Sequence, residues 1–330
     1  MISIDNQSSV PKYKQLITAI EKAIVENKLV KNEKLPSINR ICMRHQLSRD
    51  TVMLAYNELK KRGVIYAILG KGYFVKSIAF NYEQRIFLLF DELNSFKEDI
   101  LNSFLETIKD KAHVDIFFHH FNREMFTKLI DDSLGNYSKY IVMPSNLEKT
   151  TETISKLPTQ ETYILDQTRE DLKKYPAVYQ NFIKDMFSAL EKGLDRLKKY
   201  QKLFLIFPGK KEPIGMVIGF ENFCKTYHFE FEINSEFDTN TFQKGNVYVL
   251  PNDRDLVQII ESASDFQFHI GKDIGLISYN DTPLKKVVAN GITTISTDFS
   301  EMGQLLAQMI LTNSKENIEN KSQLILRNSL

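Results

Sequence analysis

From residue 84 almost to residue 311, the chain alternates short apolar runs with amphipathic stretches. Strand-like runs lie at 86–90, 114–119, 140–143, 162–165, 203–207, 246–250 and 274–278. Helix-like stretches lie between or after them at 97–109, 123–134, 179–200, 214–227, 254–264 and 299–311. Such alternation leaves few options. Consecutive strands separated by a helix's length of chain pair in parallel and bury both faces beneath their helices. The expected architecture is α/β, with one or more parallel sheets, and at this length two of them.

The first 76 residues break that rhythm. Tyr13, Leu16, Ile17, Ile20 and Ile24 recur at the spacing of one helix face. Ser37, after Leu35-Pro36, suits the cap of a short second helix, and Ser48 suits the cap of a third. That third helix carries Val52, Ala55, Tyr56 and Leu59 inward and stops at Gly63. Two β-rich runs, 64–68 and 73–75, flank Gly70-Lys71-Gly72, a hairpin turn with a basic tip. The order is three helices followed by a hairpin. The predicted division is 1–76, a linker at 77–83, and a body at 84–330. In the body the chain is expected to cross between two subdomains near 180–185, 288–292 and 311–316.

Charge separates the same two parts. Residues 1–78 hold 14 Lys+Arg against 6 Asp+Glu, a net +8, while the remaining 252 hold 29 against 36, a net −7. A basic front unit on an acidic body suits a polyanion for the former and not for the latter. In a helix-turn-helix the second helix of the pair presents its N-terminal residues to base edges. Here the outward positions of the third helix are Arg49, Met53 and Asn57, with Ser48 and Thr51 placed for phosphate and Lys71 at the hairpin tip.

Several function classes find no support. Gly-x-Ser-x-Gly, the P-loop, Gly-x-Gly-x-x-Gly after a strand and His-Glu-x-x-His are all missing, so no enzyme activity and no cofactor are expected. His119 and His120 end a strand and would face opposite ways, and Cys42 and Cys224 make no zinc spacing, so no metal is expected either. Lone, distant cysteines fit a reducing compartment. Met1–Asp5 has neither a basic nor an apolar stretch, and no run is long enough to span a bilayer. A cytoplasmic protein without membrane partners is the expectation.

The front unit resembles the winged helix-turn-helix of the GntR family. The resemblance rests on 11–16 (Pro-Lys-Tyr-Lys-Gln-Leu), Leu35-Pro36-Ser37, 47–52 (Leu-Ser-Arg-Asp-Thr-Val), 55–59 (Ala-Tyr-Asn-Glu-Leu), Gly63 and 70–75 (Gly-Lys-Gly-Tyr-Phe-Val). It implies DNA contact by Ser37, Ser48, Arg49, Thr51 and Gly72, with Arg40 beside them. Two positions depart: Asn39 and Met53 stand where the family often has arginine.

The body resembles the effector domain of the LacI family, with the type I periplasmic-binding-protein fold. This rests on 273–282 (Asp-Ile-Gly-Leu-Ile-Ser-Tyr-Asn-Asp-Thr), 291–295, Met302-Gly303, 247–253 and Gly219-Phe220. The pairing of such a reader with such a sensor is similar to that in arabinose repressors. Polar strand-end residues suit a sugar: Asp91, Glu92, His119, Ser145, Asn146, Asp166, Asn252, Asn280 and Asp281. Gln180 stands where the family often has aspartate, and Met216 where it has arginine, with Lys211 or Glu212 as stand-ins. The resemblance implies a homodimeric repressor on a palindromic double-stranded operator. Release would follow binding of a small effector, a monosaccharide such as arabinose or fucose. A purine or amino-acid sensor, an activator and a ligand-free dimerisation body stay open.

Overall fold

A computed structural model describes residues 3–76 and 84–330; the expected linker at 77–83 lies outside them. The front unit comprises α1 (Lys12–Val25), α2 (Ile38–His45), α3 (Arg49–Lys61) and the antiparallel hairpin β1 (Ile65–Ile68) and β2 (Gly72–Val75). Its core is the stripe read from the sequence. Leu16, Ile20 and Ile24 of α1 pack with Val52, Ala55, Tyr56 and Leu59 of α3. Tyr56 closes this core twice, donating from its hydroxyl to the Pro36 carbonyl at 2.6 Å and meeting Tyr73 of the hairpin edge-on at 4.8 Å.

The first half of the body runs β3 (Gln84–Phe90), α4 (Ser95–Ile108), β4 (Ala112–Phe118), α5 (Arg123–Ser133) and β5 (Lys139–Val142). It continues through α6 (Thr150–Ile154) and β6 (Thr162–Asp166) to β7 (Ala177–Tyr179). The second half holds α7 (Phe182–Lys192), α8 (Leu194–Leu197), β8 (Lys202–Ile206), α9 (Gly215–Tyr227), β9 (Glu230–Asn234) and β10 (Asn246–Leu250). Then come α10 (Asp253–Asp265), β11 (Gly275–Tyr279), β12 (Thr293–Thr297), α11 (Phe299–Thr312), β13 (Asn317–Glu319) and β14 (Ser322–Ile325).

These strands form two six-stranded sheets, ordered β13-β7-β6-β5-β3-β4 and β14-β12-β11-β10-β8-β9, parallel throughout except for β12 against β14. Both sheets are buried on two faces, as parallel sheets must be. Along β3, Ile86, Leu88 and Phe90 face α4 and α11, while Phe87 and Leu89 face α5. In each sheet the strand order reverses beside the first strand, next to β3 in one and β8 in the other. A switch of that kind opens a crevice beyond the carboxyl ends of the strands.

The chain crosses between sheets after β7 at 180–181, between β12 and α11 at residue 298, and between β13 and β14 at 320–321. The crossings expected at 288–292 and 311–316 are therefore displaced. Residues 288–290 are a 3-10 turn leading into β12, and α11 already packs against α4 of the first sheet. The close fit of those helices explains the displacement. A Cβ on Gly303 would lie 2.3 Å from the Ile100 carbonyl oxygen, so only glycine admits the contact.

The single helix expected at 179–200 is three elements. Residues 177–179 pair with both β6 and β13, a tertiary demand that overrides the helical pattern, and α7 starts only after the Asn181 cap. The short edge strand β9 and the C-terminal strands β13 and β14 were not anticipated from the periodicity, because short or half-buried strands alternate too briefly to register.

Candidate functional site

On the front unit, caps fix the geometry of the exposed helix face. The Ser37 hydroxyl accepts from the Arg40 amide at 3.2 Å, and the Ser48 hydroxyl accepts from the Thr51 amide at 3.2 Å and meets the Thr51 hydroxyl at 2.8 Å. Arg40, Arg49, Met53 and Asn57 are exposed along this side. Arg49 is held by its guanidinium donating to Asn39 Oδ1 at 2.9 Å. Asn39 thus has a part that the sequence did not reveal. It stands where the family often has a second arginine, and it aims the one that remains. Lys71 is exposed at the hairpin tip, between Gly70 (φ +73°) and Gly72 (φ +109°), whose left-handed backbones make the turn.

The body carries a cleft of about 620 Å³ between the two sheets, at their carboxyl ends. Of the expected residues, Asp91, Glu92, Asp166, Gln180, Met216, Asn252 and Asn280 line it. Asn146 sits outside this lining, at the mouth, and its amide donates to the carbonyls of Lys211 (3.0 Å) and Glu212 (2.7 Å) across the gap.

Three expected contacts belong elsewhere. His119 is fully buried behind the cleft, with Nε2 at 3.1 Å from the Met143 carbonyl, and burial holds its pKa below the usual histidine range. Ser145 is buried and donates to Asp91 Oδ2 at 2.8 Å, so it supports a wall residue instead of facing a ligand. Asp281 is engaged by both guanidinium nitrogens of Arg327, at 2.6 and 2.8 Å, and also accepts from Thr294. Burial, the largest single effect, raises its pKa, but the hydrogen bonds from Arg327 and Thr294 and the charges of Arg327 and Lys286 together hold it below the usual carboxylate range. The strand-end pattern could not tell these apart, because a cap, a brace and a ligand contact use the same residue types.

The cleft has parts the sequence did not single out. Phe96, Phe121, Phe182 and Tyr279 supply apolar and aromatic surface. Tyr279 is buried and its hydroxyl has no hydrogen-bond partner among the described residues, nor has Asn280 Oδ1. Burial pushes the Tyr279 phenol well above its ordinary pKa, so it is a neutral group there. Lys97 and Lys285 are buried cations. Lys97 pairs with Asp91, and Lys285 pairs with Asp253 at 2.8 Å while donating to the carbonyls of Tyr279 and Asn280. On the floor, Gln180 links the sheets: its amide donates to Asp166 Oδ1 at 2.5 Å and accepts from the Thr297 hydroxyl at 2.9 Å. Burial raises the Asp166 pKa, with Lys97 opposing.

Backbone strain gathers at the same place. His120 (φ 49°), Phe121 (φ 55°), Ser145 (φ 51°), Asp166 (φ 72°) and Asn280 (φ 62°) are all left-handed, each just past a strand's carboxyl end or at it. Non-glycine residues hold that conformation at a cost of about 1–3 kcal/mol each, and such strain clusters where function requires a fixed geometry.

Comparisons with known proteins follow this division. Residues 12–75 match the family model described as bacterial regulatory proteins, gntR family, and residues 246–330 match that of a periplasmic binding protein-like domain. The chain joins a GntR-family helix-turn-helix to a periplasmic binding protein-like domain. The GntR-type reader and its body have separate likenesses. An arabinose metabolism transcriptional repressor from Geobacillus stearothermophilus is 41% identical over 69 residues, 21% of this chain and 19% of that protein. The transcriptional repressor YtrA of Bacillus subtilis is 32% identical over 79 residues, 24% of this chain and 61% of that protein. The uncharacterised regulator YcxD of the same organism is 38% identical over 64 residues, 19% of this chain and 14% of its own length. Each match spans less than two thirds of the relative.

Among solved structures, the trehalose repressor from Escherichia coli superposes with a TM-score of 0.62 at 12% identity, over 74% of this chain and 100% of that one. A dimeric Lac repressor gives 0.62 at 16% identity, over 74% and 98%. These likenesses establish the two-subdomain α/β fold. No helix among the described residues is long and apolar enough to cross a membrane. Among those residues, no group of three or more His, Cys, Asp or Glu is placed to hold a metal ion.

Proposed function

We propose that the chain is a homodimeric transcriptional repressor that leaves a palindromic operator when a neutral, polyhydroxylated metabolite, of the size of a monosaccharide, enters the cleft. The charge arrangement of the cleft carries the ligand class. Lys97, Lys211 and Lys285 each already face a carboxylate, from Asp91, Glu92 and Asp253 respectively. Lys210 and Arg254 lie on the exposed rim. Among the described residues no unmatched cation reaches the floor, so a phosphate or carboxylate would be buried without a counter-charge, which is costly. A sugar instead meets what is there: carboxylate and amide acceptors, the free Tyr279 hydroxyl and aromatic faces. Met216, in place of the family's arginine, removes another cation from the same wall.

On DNA, the reader supplies base contacts from Arg49 and Asn57 and backbone contacts around the α3 N-terminus and Lys71. Twofold symmetry requires two half-sites. If effector binding weakens operator binding, the operator weakens effector binding by the same factor.

Two measurements on the full chain test this. A thermal-shift panel of neutral monosaccharides, sugar phosphates and nucleobases should give a stabilising hit among the first group. Selection of bound duplexes from a random pool should return an inverted repeat, and the hit should release it. A sugar phosphate or nucleobase as the best ligand would overturn the neutral-ligand assignment. A selected site without twofold symmetry would overturn the dimeric mode of binding.

A further inference from the structure

The mouth of the cleft is bridged without any ligand. The loop 207–213 follows β8 and bears two prolines, Pro208 and Pro213, with Gly209 left-handed at φ +72°. Inside the loop, Glu212 Oε2 accepts from the backbone amides of Lys210 (3.2 Å) and Lys211 (3.1 Å), which fixes its shape. Facing it from the first subdomain are Glu92, Phe121 and Asn146. Lys211 Nζ donates to Glu92 Oε2 at 2.5 Å and sits 4.6 Å from the centre of the Phe121 ring. Asn146 takes the loop's carbonyls, as described above. An ion pair, a cation–π contact and two hydrogen bonds therefore join the subdomains in addition to the three chain crossings.

We infer that the loop 207–213 is a latch and that Lys211 is its positioning residue: its contacts with Glu92 and Phe121 hold the two subdomains closed over the empty cleft. Three features support a built device over an incidental surface pair. Phe121 presents its ring from two consecutive left-handed residues, His120 and Phe121, a strained arrangement with no turn glycine to relieve it. Lys211 has two partners of different kinds, both on the opposite subdomain. The Asn146 amide makes both its hydrogen bonds to main-chain carbonyls of the loop, so it recognises the loop's conformation and not its side chains. Two bodies linked by three hinge segments and one latch form a two-state element, in which the latch shifts the balance between open and closed. Its regulatory meaning rests on the reading of the cleft as the effector site. Its existence does not.

The test needs no ligand. In the full chain carrying Cys42→Ser and Cys224→Ala, spin labels at Lys128→Cys and Gln258→Cys, exposed positions on opposite subdomains, report their separation by pulsed electron paramagnetic resonance. The background chain should show one narrow distance population. Combining Lys211→Ala with Asn146→Ala should add a population at longer distance, and Glu92→Gln should do so in part. Lys211→Arg should restore the narrow population, because a guanidinium keeps both the ion pair and the ring contact. Raising the salt concentration should lengthen the distances in the background chain and leave the Lys211→Ala chain unmoved. An unchanged distribution in the double variant, with its melting temperature retained, overturns the latch. If the distribution moves while no metabolite in the thermal-shift panel binds, the latch stands and the effector reading fails.

Discussion

Asp185 should make the body less stable as pH rises from about 4 through 6, and Asp185→Asn should remove that loss. The residue lies one turn into α7, beside the hinge, and is only 5% exposed. Its Oδ1 accepts from the Ser322 amide at 3.2 Å, while Oδ2 is buried without a partner. Burial, opposed by the Ser322 bond and reinforced by Glu319, raises its pKa from 3.8 to about 6. A carboxyl raised in the folded state contributes stability that is fully present below its unfolded pKa, near 4. That stability is lost as pH climbs through 6. At 1.36 kcal/mol per unit, the shift amounts to about 3 kcal/mol, of which roughly 2–3 kcal/mol develops between pH 4 and pH 7. Asparagine keeps the acceptor for Ser322 and carries no charge at any pH. The variant should therefore melt close to the parent at pH 4 and above it at pH 7, by about 4–10 °C for a unit of this size. Scanning calorimetry of both chains across that range reads the difference directly. Parallel pH profiles for the two would refute the reasoning, since Asp185 would then titrate alike in folded and unfolded chains.

Other substitutions probe the remaining structure. Arg49→Ala should weaken the selected operator by roughly 10–100-fold, the loss of a bidentate base contact of about 1–3 kcal/mol, with the melting of the body unchanged; anisotropy on labelled duplex measures it. Asn39→Ala should lower operator affinity less than Arg49→Ala and add little to it in the double variant, because both act through one guanidinium. Arg327→Ala leaves Asp281 as a partly buried carboxylate without its counter-charge and should destabilise the body by about 2–3 kcal/mol in urea unfolding. Gly303→Ala places a methyl 2.1 Å from Ser103 Oγ and 2.3 Å from the Ile100 carbonyl oxygen. It should cost about 3 kcal/mol, because the obstructing atom is main chain and cannot rotate away.

What could be read from the residues, and what could not, divides along physical lines. The front unit was legible almost completely. Its helices are amphipathic at one period, both capping serines precede their helices, and its turn glycines sit where positive φ is required. Strands β3, β4, β5, β6, β8, β10 and β11 were legible as apolar runs, but the other strands of the two sheets were not, and the crossings between the sheets were misplaced. No local pattern records that α11 leaves the sheet of β12 to lie on α4; only the bare Gly303 surface permits it, and a glycine within a helix carries no address. The cleft shows the same limit. Asp91, Asp281 and Ser145 were equivalent as strand-end polar residues, and only their partners separate them. Lys97 lines one wall, Arg327 lies 46 residues beyond Asp281, and the Ser145 hydroxyl points back to Asp91. Gln180 is the instructive case. It stands at the first crossing, its amide spans Asp166 on one sheet and Thr297 on the other, and it also faces the cleft. A ligand hydroxyl that takes Asp166 must compete with the amide that ties the sheets together. On the proposed reading of the cleft, recognition and hinge position would be coupled through one side chain, by a juxtaposition of residues 166, 180 and 297 that sequence spacing does not express.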